Sequence, residues 1–131
     1  MSVVNSTFNK HRNRHHLLYP ARAWRSIGPN ALILRGAFIV KIDEKLHEQL
    51  HRELDGLLGE RITRRTMPQK STIKQLKKAY RRQESAIRKM NAIEKIEWLE
   101  GQLDSRQRRN RWLLQMLGRQ KKFFIRHQEE M

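Results

Sequence analysis

The sequence predicts a mainly α-helical protein with a small β-hairpin, a ββα unit at the N-terminal end followed by a helical arm or bundle. Three observations predict it. Leucines recur at helical spacing from Leu46 onward, a run rich in β-branched residues lies just upstream, and amphipathic basic segments fill the second half of the chain. With 131 residues, the chain has room for one modest core and an extension.

Residues 1 to 14 are polar and basic without periodicity and read as a flexible arm. Order is expected to begin at the His15-His16 pair, with a first short strand over His16 to Tyr19, closed by Pro20. The turn signal Gly28-Pro29-Asn30 follows Trp24, and the run from Ala37 to Ile42 forms the second strand. Asp43 is placed to cap a helix over 44–58, with Gly59 as its stop. Leu46, Leu50, Leu54 and Leu57 share one face of that helix, so residues 15–60 read as one ββα unit. The apolar pattern lapses over 61–70, around Pro68, which marks a linker.

Residues 71–131 read as basic amphipathic helices. Ile73, Leu76, Tyr80, Ile87 and Met90, with Gln83 the polar member, define one long helix whose other faces carry lysine and arginine. Asn91 and Glu94 make a capping-box pattern, opening a helix with Ile93, Ile96, Leu99 and Leu103. Asp104 or Ser105 is expected to cap a last helix carrying Trp112, Leu113, Met116, Leu117 and Phe124. Trp98, Trp112, Leu113 and Phe124 read as core or partner-helix contacts rather than base-stacking platforms.

Composition narrows the function. Lys and Arg number 29 against 13 Asp and Glu, a formal charge of +16. Such an excess repels itself unless a polyanion is near, so a nucleic acid or nucleoprotein partner is expected, with Arg14, Arg22, Arg25, Arg35, Arg108, Arg109 and Arg111 as candidate phosphate contacts. Absence of cysteine excludes disulfides and thiolate metal sites, so any metal must use histidine and carboxylate. Apolar stretches such as 31–34 and 37–40 are too short for a membrane span, and a cytoplasmic location is expected. The acid-free stretch before Asp43 has the composition of a transit peptide, but the first sixteen residues show no apolar helical face. Sequence leaves open whether the chain is a monomer or a homodimer.

Five of the six histidines precede residue 52: His11, His15 and His16, then His47 and His51. At i and i+4 on a helix, His47 and His51 bring their Cβ atoms within about 5–6 Å, which suits two imidazoles sharing one ion. Taken alone, the pair is also what the polar edge of a leucine stripe looks like.

The adjoining order, a strand with a His pair, a turn, a second strand and a helix with two histidines, resembles the ββα-metal motif of HNH endonucleases. The spacing is most similar to that of colicin-type DNases. The stretch Asn13-Arg14-His15-His16-Leu17-Leu18-Tyr19-Pro20 looks like the first half of the motif and resembles the openings of small HNH-like proteins of phages and mobile elements. Residues 40–52 look like the strand-into-helix half. The resemblance covers about residues 13–54. It implies that His15, His47 and His51 hold zinc or another divalent transition metal and that His16 is the general base of an endonuclease. The family places an asparagine before the second strand to orient that base; here Leu34, Arg35, Gly36 and Ala37 stand there, and Asn30 is the nearest candidate.

Two other functions fit parts of the pattern. A non-catalytic, zinc-stapled binding protein of phage or mobile-element origin would use the metal to hold a small core and its basic helices to bind; an anti-CRISPR inhibitor of an RNA-guided host defence nuclease is one form such a protein could take. His47-Glu48-Gln49-Leu50-His51 also satisfies the H-E-x-x-H pattern of zinc metalloproteases. The strands such proteases need before that helix have no counterpart here, and no third ligand follows at the required spacing.

Overall fold

The computed structural model describes residues 12–18, 32–58 and 69–130. Two strands, β1 (Arg12–His16) and β2 (Ile39–Asp43), pair antiparallel in the register Arg12 to Asp43 through His16 to Ile39. Between them in sequence lies α1 (Leu32–Ala37), and α2 (Glu44–Leu58) leaves β2 without a loop. The remainder is helical: α3 (Lys70–Arg82), α4 (Glu84–Arg88), α5 (Ala92–Gln102), α6 (Arg108–Arg126) and a 3-10 turn over Gln128–Glu130. The described residues are thus mainly helical with one small antiparallel strand pair, the predicted fold class.

Ile39, Val40 and Ile42 give β2 the χ1-restricted side chains that fit a pleated ribbon. At its end, the Asp43 carboxylate accepts a hydrogen bond from the Lys45 backbone N–H at 3.1 Å, satisfying a donor that helix geometry leaves without a partner. Asp43 is therefore the cap the sequence indicated, and α2 spans the expected residues. Leu46, Leu50 and Leu54 are buried along its inner face; Gly59 lies outside the described residues.

The first strand differs from expectation. It runs from Arg12 to His16, not from His16 to Tyr19, and Leu17 and Leu18 leave the sheet to become fully buried. Polar and basic residues form the strand because its pairing uses backbone groups, while the apolar pair serves the core better beyond it. A second difference is α1, which takes up Ala37. Leu34 and Phe38 are one helical turn apart, and both are buried. The Phe38 N–H donates to the Leu34 carbonyl at 3.2 Å, and Lys95 Nζ from α5 donates to the Ala37 carbonyl at 3.0 Å.

Downstream, the single long helix expected over 71–90 is divided at Gln83, whose φ of −125° and ψ of 20° end α3 and open α4. Gln83 occupies an apolar register position and instead turns its Oε1 to accept from Trp98 Nε1 at 3.1 Å. The capping box is present in full, with Glu94 N–H donating to Asn91 Oδ1 at 2.9 Å and Asn91 N–H to Glu94 Oε1 at 3.1 Å. The last helix starts later than expected, after Gln107. Asp104 is spent on a turn, accepting from the Arg106 backbone N–H at 2.9 Å and from its guanidinium.

One apolar core joins the halves, running from Leu17, Leu34 and Phe38 through Leu50 to Leu99, Leu117 and Phe124. Phe38 stacks on Trp98 at 5.6 Å and meets the edge of Tyr80 at 6.2 Å. Trp112, Leu113 and Phe124 belong to the core or pack on it. Helix α6 packs against α2 and α3 against α1, which places α6 beside the histidines.

A candidate metal centre between the first strand and two helices

Strand residues alternate faces, so Asn13 and His15 look the same way from β1, toward α2. His47 and His51 rise from α2 one turn apart to meet them. The ring centroids lie 5.2 Å (His15 and His47), 5.5 Å (His15 and His51) and 4.5 Å (His47 and His51) apart, every pair edge to face. One nitrogen from each ring lies within 4.8 Å of the others. His47 Nε2 and His51 Nε2 are 2.9 Å apart. Three histidines spread over 36 positions of the chain, from His15 to His51, thus converge, the same three that the motif resemblance brought together.

The surroundings favour neutral rings at His15 and His47. His15 is only 4% exposed, and burial, with smaller contributions from the facing imidazoles, lowers its pKa to about 3 against the pull of its Gln120 hydrogen bond. His47 is lowered too, by burial and then by His51 and His16. Neutral imidazoles keep a lone pair at ordinary pH, and that is the form a metal needs. The donor set, three imidazole nitrogens with no carboxylate among them, fits a borderline transition ion rather than calcium or magnesium.

Two carboxamides touch the trio, and neither was expected. Gln120 of α6 places Oε1 2.6 Å from His15 Nε2 and donates from Nε2 to the Leu17 carbonyl at 2.9 Å. Asn13 Nδ2 lies 3.3 Å from His47 Nδ1; turning that amide over lets its oxygen accept from Nδ1–H and frees His47 Nε2 as the donor atom. Phe124 closes the inner side with its ring 6.4 Å from that of His15. A signal for Gln120 did exist: it is the polar member of the series Leu113, Met116, Leu117, Gln120 and Phe124. Nothing in the local pattern indicates what it touches.

His16 is not one of the three. As the next strand residue it points to the other face of the ribbon, half-buried. Burial and then Arg35 lower its pKa, and its Nδ1 is buried without a hydrogen-bond partner. Arg14 is exposed on β1 and Arg35 half-buried on α1. Arg22, Arg25 and Asn30 lie outside the described residues. Arg108, Arg109 and Arg111 sit in the first turn of α6, roughly 14–18 Å along the helix from Gln120, so they belong to a different part of the surface. Glu48, the glutamate of the H-E-x-x-H pattern, is exposed, and the third histidine comes from the preceding strand.

No family model, curated protein or solved structure matches the chain. Among the described residues no helix is long and apolar enough to cross a membrane.

Proposed function

We propose that this protein is a metal-binding protein of the ββα-metal kind that acts on nucleic acid as a metal-dependent endonuclease. The observation that carries the proposal is the convergence of His15, His47 and His51, one from a strand and two from the helix that follows the second strand, within 4.8 Å. Those three residues would hold zinc or a similar divalent ion, which when bound polarises a phosphate oxygen as a Lewis acid. His16 would be the general base: burial and then Arg35 hold its pKa down, so it can take a proton from water. Although it leaves the strand on the other side, its charge is felt at His47 of the trio. Arg14 and Arg35 flank it on β1 and α1 and hold phosphates, and the charge of +16 draws the polyanion in. The test is a nicking assay on duplex and single-stranded substrates with Mg, Mn, Ni and Zn in turn. His16→Ala should retain metal and fold while losing cleavage; cleavage that persists removes His16 as the base.

A second reading is favoured by one specific observation. The Gln120 hydrogen bond and the Phe124 contact tie His15 to a helix 105 residues downstream, so an ion there also staples the core. In this reading the protein is a non-catalytic, zinc-stapled binder, the chemistry expected of a mobile-element inhibitor of a host defence nuclease. Its mark would be binding activity unchanged in His16→Ala and lost in His51→Ala, with no cleavage by the wild type under any of the four metals.

A further inference from the structure

Gln120 is completely buried, and burial of a carboxamide is costly unless both its ends are paired. Both ends are paired, and each constrains the other. The Leu17 carbonyl can only accept, so the group 2.9 Å from it must be the amide NH2. The other end, 2.6 Å from His15 Nε2, is then the oxygen, which can only accept. His15 Nε2 must therefore carry the hydrogen. A neutral imidazole has one N–H, so the lone pair is on Nδ1.

We propose that Gln120 is a positioning residue of the metal centre: read through the Leu17 carbonyl, its amide fixes His15 in the Nε2–H tautomer and makes Nδ1 the ligand atom. The proposal rests on the metal reading given above and adds the regulation of that site. Gln120 belongs to α6, whereas the three histidines belong to β1 and α2. The centre is therefore complete only when α6 is docked, and ion binding and helix docking reinforce each other. The same bond limits rotation of the His15 ring, which would otherwise offer either nitrogen.

The experiment uses the full chain with ring nitrogens observed by proton–nitrogen NMR, and zinc affinity measured by competition with a chromophoric chelator. In the metal-free wild type, His15 should be the Nε2–H tautomer, and zinc should shift the resonance of its Nδ1. Gln120→Leu should give a mixture of tautomers and a zinc affinity lower by about 10–100-fold, with far-UV dichroism unchanged. Gln120→Glu, which as a buried neutral acid can donate its O–H to the Leu17 carbonyl and keep the other oxygen as acceptor toward Nε2–H, should restore the tautomer and most of the affinity. An Nδ1–H tautomer in the wild type overturns the assignment, as does wild-type zinc affinity in a folded Gln120→Leu chain. If Gln120→Leu does not fold, the wild-type tautomer and the Gln120→Glu affinity decide. A wild type that takes up no zinc sinks the metal reading, and the tautomer still judges Gln120 by itself.

Discussion

At the scale of single residues, His15 stays neutral in the folded chain because a charge there would face two other imidazoles and no solvent. That has a consequence for acid stability. A histidine with an ordinary pKa of 6.5 when unfolded and about 3 when folded binds its proton preferentially in the unfolded state. Its contribution is fully present above pH 6.5 and is lost as pH falls from there toward 3, at a limiting slope of about 1.4 kcal/mol per pH unit. Urea titrations of the metal-free protein between pH 7 and 4 should show this decline, and His15→Gln should flatten it. A second expectation at this scale is that the purified protein carries about one equivalent of a transition ion, and that His47→Ala loses it. Elemental analysis of protein prepared without chelators is the check; metal content equal in the two proteins removes His47 from the site.

At the scale of elements, local chemistry and packing contribute in different measure. Asn91 and Glu94 satisfy each other's backbone donors at the start of α5, so Asn91→Ala should cost about 1 kcal/mol in denaturant stability. Leu50 is fully buried in α2 between His47 and His51, and Leu50→Ala should cost about 2–5 kcal/mol. If the trio depends on how α2 seats against β1 and α6, that change should also weaken zinc binding although it removes no ligand. Equal zinc affinity in a folded Leu50→Ala protein would show that the histidines hold their geometry without that packing. The α3–α4 break shows the converse balance. Helical periodicity continues across Gln83, yet the backbone departs from it there, and the exposed Gln83 carboxamide accepts from the Trp98 indole of α5.

Across the whole molecule the charge is unevenly used. Ion pairs join Glu84 to Arg88, Asp104 to Arg106, Glu100 to Lys121 and Glu53 to Arg126, but cations outnumber acids more than two to one. Nucleic-acid affinity should therefore fall steeply with salt. Replacing Arg108, Arg109 and Arg111 together should reduce the slope of log K against log salt by up to about three, if each contacts one phosphate. An unchanged slope would place the interface elsewhere, and no affinity even at low salt would point to an acidic protein as partner.

The sequence by itself determined what depends on near neighbours in the chain. Asp43 two residues before Lys45, Asn91 three before Glu94, and leucines at helical spacing specify α2 and α5 almost to the residue. The His47–His51 pair was legible for the same reason, since one helical turn fixes its separation whatever the rest of the chain does. His15 could be assigned to it through the resemblance of the motif, and the structure brings the three nitrogens together. Only the tertiary structure decided where β1 lies, since strand pairing is a choice of partner and Arg12–His16 has no apolar alternation to announce it. Tertiary structure alone also brought Gln120 to His15 across 105 residues. A polar residue in an apolar stripe announces that it needs partners, but which atoms supply them is settled by the docking of α6 on β1 and α2, where core packing and the cost of an unpaired buried amide act together.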